Sequence, residues 1–174
     1  MRQLKPGAMV PPRWLRPRPR ASRGLSLIEL MVAFTIAGLL TMAAAPMFSD
    51  YGINSRLRES GNLLFAEALF AQSEAIKRNS TVRLATNAGT MTVSDLSDPA
   101  NPVVLRTRHL QSDVSAPNAQ VSFGSQGATA GLLAVSINLS HASAVCSSEH
   151  RCPGLRVDAG GAVRLCGNQL VNCP

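Results

Sequence analysis

The chain has 174 residues, with 17 Lys and Arg against 10 Asp and Glu, a formal net charge of +7 and a sequence pI of about 10.3. Seven of the basic residues, and none of the acidic ones, lie in residues 1–24. The other 10 basic residues balance the 10 acidic ones, so the high pI is no evidence that the rest of the chain binds nucleic acid.

An apolar stretch follows the basic N-terminal segment. From Leu30 to Ser49 there are 20 consecutive uncharged residues, about 30 Å of helix at about 1.5 Å per residue, which matches the hydrocarbon thickness of a bilayer. A basic segment before such a run keeps the amino end in the cytoplasm and directs the following residues outward. We therefore predict one membrane span. Pro and Arg alternate from Pro11 to Arg20, a pattern that also occurs in polyproline or nucleic-acid-binding arms. We interpret this segment instead as part of an extended leader, lengthened by an upstream start codon.

Glu29 is the one charge at the start of this apolar stretch. A carboxylate at the edge of the hydrocarbon costs a few kcal/mol unless a cation meets it or its side chain reaches the interface. The position therefore predicts a positively charged partner.

The residues around Glu29 resemble the processing and assembly motif of type IV pilins and of the pseudopilins of type II secretion. Gly24 precedes Leu25, and Ser26-Leu27-Ile28-Glu29-Leu30 follows. The resemblance implies that a prepilin peptidase cuts after Gly24 and methylates Leu25, and that Glu29 pairs with the terminal ammonium of a neighbouring subunit. Leu25 replaces the usual phenylalanine and keeps a large apolar side chain.

An ordinary secretory signal is the alternative interpretation. Ala43-Ala44-Ala45 resembles a signal-peptidase site, which would release a secreted domain cut after Ala45. The long basic region, the acid at the start of the apolar region and Pro46 directly after the cut all argue against it.

Residues 53–79 predict an amphipathic helix that continues the membrane span. Apolar residues recur at spacings of three, four or seven and form one stripe: Ile53, Leu57, Leu64, Ala68, Ala71 and Ala75, flanked by Phe65, Leu69 and Ile76. The polar side is predicted to hold Arg56, Arg58, Glu59, Asn62, Glu67, Glu74, Lys77 and Arg78. One helix from Leu25 to about Asn79 is expected, with a kink at Pro46 helped by Gly38.

Residues 80–174 predict a small antiparallel β domain. Short runs with apolar residues at every second position are separated by Gly-, Asn- and Pro-containing turns. The apolar positions are Val82, Leu84, Met91, Val93, Val103, Leu105, Val121, Phe123, Val135, Ile137, Leu139, Leu155, Val157, Val163 and Leu165. The expected fold is α+β: a long N-terminal helix, membrane-spanning over 25–52 and amphipathic over 53–79, packed on one antiparallel β domain after a cleaved leader, 1–24.

All four cysteines lie near the C-terminus, at Cys146, Cys152, Cys166 and Cys173. The predicted topology places them outside the cytoplasm, where disulfides are the default, and three pairings are possible. A hairpin around Ala159-Gly160-Gly161 would favour Cys152 with Cys166, leaving Cys146 with Cys173. Zinc ligation with His141 or His150 is disfavoured, because no C-x-x-C spacing is present.

The C-terminal region resembles the H-type pseudopilins and the FimT group of minor pilins. The resemblance rests on Phe123-Gly124 before a glycine-containing segment and on a late hairpin ending Gly161-Ala162-Val163-Arg164-Leu165-Cys166. Some FimT members bind DNA through a G-R-x-R signature here. Because Ala162 occupies the second position, Arg164 lacks its companion; Arg151 and Arg156 are possible substitutes, beside the acidic Glu149 and Asp158.

No enzymatic motif or cofactor-binding motif accompanies His109, His141 or His150. The sequence therefore predicts a non-enzymatic minor pilin or pseudopilin, anchored in the inner membrane with a periplasmic domain. The resemblance implies other major and minor pilins or pseudopilins, the prepilin peptidase, an inner-membrane assembly platform and membrane lipid as partners. Filament priming with protein secretion or DNA uptake is the expected role, and a DNA-binding pilus-tip protein is an alternative.

Overall fold

A computed structural model describes Gly24 and residues 26–171, apart from the side chains of Ala45 and Pro46. Three predicted features lie outside the described residues: the predicted leader (1–24) apart from Gly24, the methylation position Leu25, and Cys173. The chain divides between Ala43 and Ala44 into two compact units. The expected class is confirmed: one long helix, α1, precedes an antiparallel β domain.

The N-terminal unit contributes the apolar start of α1, whose full extent is Leu27–Arg78. The 18 residues Leu27–Ala44 are long and apolar enough to cross a membrane, and none of this segment is buried within the protein. Large apolar side chains such as Phe34 are 70% exposed. Length and composition thus agree with the predicted span.

The C-terminal unit begins inside α1, and the helical assignment continues through Pro46. The kink expected at Pro46 and Gly38 stays a prediction. The helix ends in a Schellman motif: Asn79 has a φ of 51°, its amide donates to Ile76 O, and the Ser80 amide donates to Ala75 O. Lys77 and Arg78 lie in the last turn, where cations offset the helix dipole.

Eight strands follow α1. They are β1 (Val82–Ala88), β2 (Thr90–Asp95), β3 (Val103–His109), β4 (Val114–Phe123), β5 (Val135–Asn138), β6 (Ser140–His141), β7 (Gly154–Val157) and β8 (Val163–Cys166). A five-stranded sheet has the order β3-β2-β1-β4-β6, and a three-stranded sheet has the order β5-β7-β8. All pairs are antiparallel. The predicted apolar runs fall on seven of these strands.

One hydrophobic core joins the helix stripe to both sheets. Leu57, Leu64, Ala68, Ala71 and Ala75 are fully buried, which confirms the stripe, and Ile53 packs at its edge. Leu84, Phe123, Ile137 and Leu155 fill the centre from the strands.

Glu67 is not on the polar side of the helix, as the periodicity predicted. Its side chain is 4% exposed and contacts Arg106 Nη1 at 3.2 Å and Arg108 Nε at 3.8 Å. Arg106 also lies over the Phe70 ring, 3.5 Å from its centroid. A buried carboxylate is tolerated when cations compensate it, so Glu67 attaches the edge strand β3 to the helix.

Strand β3 also departs from the period-two expectation. Val103 is 61% exposed and Val104 is 58% exposed, because β3 pairs only with β2 and lies at the edge of the sheet. The alternating pattern identified a strand here but not which side of it is covered.

Candidate functional site

The helix N-terminus holds the candidate assembly acid. Ser26 O accepts a hydrogen bond from the Leu30 amide, so α1 begins directly after Ser26, and Glu29 lies in the first turn. Glu29 is exposed and forms no ion pair among the described residues. A carboxylate in the first turn is favoured by the helix dipole, yet it is flanked by exposed Leu27 and Ile28. The arrangement suits an added cation from another molecule.

Gly24 lies outside the helix, two residues before Ser26, and an added Cβ there would meet no atom within 4 Å. The local backbone is thus open at the candidate cleavage position. Packing within the described residues therefore does not require glycine at this position.

The cysteine pairing differs from the one that the sequence favoured. Cys146 is bonded to Cys152, with the two Cα atoms 5.5 Å apart, so the pairings of Cys152 with Cys166 and of Cys146 with Cys173 are both wrong. Cys166 is disulfide-bonded as well. The hairpin β7–β8 exists, and Gly154 in β7 is the register partner of Cys166, but Cys152 precedes β7 and turns towards the preceding loop. Because Cys146 and Cys152 are bonded to each other, neither is available as a zinc ligand.

The Cys146–Cys152 bond closes a short loop, residues 147–151, that α1 holds in place. Asn54 Nδ2 donates to Glu149 O at 2.8 Å, and the Arg151 amide donates to Asn54 Oδ1 at 2.9 Å. His150 Nε2 lies 3.2 Å from Asp50 Oδ1. We call this segment the disulfide loop. Periodicity did not single out Asn54, because an amide on a polar helix face has no sequence pattern of its own.

Replacing both Cys146 and Cys152 by Ser is expected to lower the free energy of unfolding by about 2 kcal/mol, since the bond closes a loop with a sequence separation of only 6. The full chain in detergent, unfolded with urea under non-reducing conditions, gives the measurement. The Ser148→Ala variant is the control, because Ser148 is exposed and the substitution leaves the bond intact. An unchanged urea midpoint in the double variant would contradict the prediction.

The β7–β8 hairpin carries the candidate DNA-binding arginines. Arg156 and Arg164 are register partners, so their side chains leave the same face of the small sheet. Arg164 Nη2 lies 3.4 Å from Asp158 Oδ2, and Arg156 Nη1 donates to Asn138 Oδ1 at 2.6 Å. Arg151 lies in the disulfide loop, outside the two hairpin strands, and is not a register partner of either arginine. The structure therefore brings together two of the three arginines.

Gln72 fixes the position of this hairpin from the helix. Its Nε2 donates to Gly127 O and to Gly161 O, each at 2.7 Å. The first oxygen belongs to the loop after β4 and the second to the β7–β8 turn. One helix side chain thus holds two turns, a role that no sequence pattern indicated.

Glu74 near the end of α1 and Asp95 at the end of β2 are carboxylates with lowered pKa values. Hydrogen bonds from Arg78 and then Lys77 lower the pKa of Glu74, and hydrogen bonds from the Ser97 hydroxyl hold the pKa of Asp95 below its ordinary value. The ionised carboxylates of Glu74 and Asp95 therefore stabilise the folded state at pH values above their unfolded-state pKa. This stabilisation is lost as the pH falls through their lowered pKa in the folded state.

The histidines and cysteines do not take part in any cluster of three or more His, Cys, Asp or Glu side chains that could hold a metal ion within the described residues. His109 ends the exposed edge strand β3. His141 is buried in β6, where its Nδ1 accepts from the Ser143 amide at 3.3 Å. His150 is held in the disulfide loop, which leaves the three rings in separate places.

The long helix with an acid in its first apolar turn, joined to a two-sheet antiparallel domain, defines a pilin-like protein. Residues 19–45 match the prokaryotic N-terminal methylation motif. Residues 60–167 match the model of type II transport protein GspH. Because the latter match spans more than half of the chain, the chain belongs to the GspH family, whose members are structural pilin or pseudopilin subunits.

Solved structures share this fold. The type IV minor pilin FimU of Pseudomonas aeruginosa (strain PAO1) aligns with a TM-score of 0.55 and 13% identity, covering 64% of this chain and 88% of FimU. GspH of E. coli aligns with a TM-score of 0.50 and 15% identity, covering 65% and 89% of the two chains. No curated protein sequence matches the chain. At these identities the alignments establish the fold alone.

Proposed function

We propose that this chain is a minor pilin or pseudopilin subunit that is cut after Gly24, inserted once in the inner membrane and assembled with other pilins. The observation that carries the proposal is the exposed Glu29 in the first turn of an apolar helix that leads into a GspH-family domain. A carboxylate in that position is stabilised when a neighbouring subunit supplies its amino terminus. The β domain is then periplasmic, where the disulfides persist.

Filament priming, followed by protein secretion or DNA uptake, is the role we assign to such a subunit. The proposal includes a prepilin peptidase, which processes the chain, and an inner-membrane platform, which extracts it into the filament. The two similar structures are a type IV minor pilin and a GspH protein, and both kinds of machine would use the same helix.

Processing of the full chain tests the proposal. Co-expression with a prepilin peptidase is expected to give a protein whose first residue is a methylated Leu25, determined by intact mass and N-terminal sequencing. Gly24→Val should block the cut, since a β-branched side chain then precedes the scissile bond. Gly38→Val is the matched control, because Gly38 also has no atom within 4 Å of an added Cβ. A chain that starts at Pro46 would instead establish a secretory signal cut after Ala45.

DNA binding by the hairpin is the second candidate function. The shared face of Arg156 and Arg164 favours it, whereas the Asp158 carboxylate beside Arg164 opposes it. If DNA binds, the affinity of the full chain falls steeply with salt, and Arg164→Ala reduces the salt slope by about one. Arg83→Ala, on strand β1, is the control for the loss of one charge. Absence of binding at low salt would eliminate this candidate.

A further inference from the structure

A groove of about 1080 Å³ runs between the second half of α1 and the C-terminal segment. Its lining includes Arg58 from the helix and Arg151 from the disulfide loop, together with Asn62, Glu149 and Asn168. All of these belong to the C-terminal unit. Two cations and one acid give the groove an excess of one positive charge.

Arg58 and Arg151 differ from the other described basic residues. Every other Arg or Lys among residues 26–171 makes a side-chain hydrogen bond or an ion pair, to a carboxylate, a hydroxyl or an amide oxygen. The guanidinium groups of Arg58 and Arg151 make neither within the described residues, and both are exposed. Two guanidinium groups without partners in one groove are suited to an anion with several oxygen atoms.

The position of the groove along α1 indicates which anion. The uncharged run ends at Ser49, and Arg58 lies nine residues further, about 13 Å along the helix axis. Helical side chains lean back towards the N-terminus, which brings the Arg58 guanidinium closer to the end of that run. The headgroup layer is about 5–8 Å thick on each side of a bilayer.

Exposed aromatic residues lie near the end of the apolar run, where the headgroup layer is expected. Phe48 and Tyr51 are each 75% exposed; Phe48 lies just before the end of the apolar run and Tyr51 lies two residues beyond it. Exposed aromatic rings next to a span are typical of the membrane–water interface. The acid nearest to these aromatic residues, Asp50, has its Oδ1 atom 3.2 Å from His150 Nε2.

We propose that Arg58 and Arg151 bind the phosphate headgroup of an anionic phospholipid while the subunit is in the membrane. The inference rests on the proposed function, because only a membrane-inserted chain places the groove beside headgroups. Glu149, which lines the same groove, limits the affinity. Extraction of the subunit into a filament then requires release of this lipid.

The test uses the full chain in nonionic detergent and native mass spectrometry with added phosphatidylglycerol or phosphatidylcholine. We expect preferential retention of phosphatidylglycerol. Arg58→Gln and Arg151→Gln should each lower its apparent affinity about fivefold, and the double variant should remove the preference. Glu149→Gln should raise the affinity by a similar factor. Arg83→Gln, which removes the same charge far from the groove, should change nothing.

Several results would overturn the inference. Equal retention of the two lipids, an unchanged double variant, or an equal effect of Arg83→Gln would each do so. Competition by millimolar inorganic phosphate at the same two arginines would identify soluble phosphate as the ligand instead. Flotation of the chain with phosphatidylcholine vesicles separates the two proposals: a chain that does not float contradicts the membrane-inserted pilin, whereas one that floats without a lipid preference contradicts only the headgroup site.

Discussion

Glu29→Gln is expected to leave membrane insertion unchanged and to reduce incorporation into filaments a hundredfold or more. Glutamine is nearly the same size but carries no charge, so the ammonium of the neighbouring subunit would lose its counter-ion at the edge of the hydrocarbon. Loss of one partner from a buried ion pair costs about 3–5 kcal/mol. Insertion itself depends on the apolar run, which the substitution leaves intact.

The measurement is the ratio of the subunit in sheared filaments to the subunit in membranes, in cells that make the other pilins. Glu59→Gln is the matched control, because Glu59 is an exposed acid of the same helix that forms no ion pair among the described residues. Normal incorporation of the Glu29 variant would remove the main physical support for the assembly proposal. Loss of the variant from membranes would indicate a role in insertion instead.

Gly161→Ala is expected to destabilise the β domain by about 3 kcal/mol. Gly161 has a φ of 88°, a region that strains any residue with a Cβ, and an added Cβ would lie 2.0 Å from Gly127 O. That oxygen is backbone and is itself held by Gln72. The β7–β8 turn must therefore move away from the loop after β4, and the hydrogen bond from Gln72 to Gly161 O would be weakened.

Gly160→Ala is the control for this change. Gly160 precedes Gly161, has no atom within 4 Å of an added Cβ and has no positive φ, so its replacement should shift the urea midpoint little. The measurement is urea unfolding of the full chain under non-reducing conditions. A Gly161→Ala variant as stable as the unchanged chain would show that the turn does not need glycine. A large loss of stability in both variants would indicate that the hairpin tolerates no change in its turn.

The family's G-R-x-R signature predicted the position of Arg164 in the hairpin, but not the residues that surround its side chain. The sequence placed Arg164 on the last strand, and the structure confirms the strand. It did not show that Arg156 is its register partner or that Asp158 lies 3.4 Å away. Those facts depend on which strands pair and in which register, which is set by the core and by the Gln72 contacts.

Covalent and ionic partners were also poorly determined by sequence. Hairpin spacing favoured Cys152 with Cys166, yet the bond joins Cys146 and Cys152, because the segment before β7 folds back on itself against Asn54. Glu67 was expected on the polar helix face and is instead buried beneath Arg106 and Arg108. A carboxylate next to an apolar stripe is exposed or buried according to whether another strand brings cations to it.

Local patterns of residues were sufficient to predict the apolar run, the acid at its start, the helical stripe and nearly every strand. These features depend on local periodicity and on transfer of side chains out of water, which act on neighbouring residues along the chain. The folded chain was needed to show the cysteine partners, the burial of Glu67, the double contact of Gln72 and the groove with Arg58 and Arg151. Each of these joins residues far apart in sequence, so it depends on how the helix and the two sheets pack together.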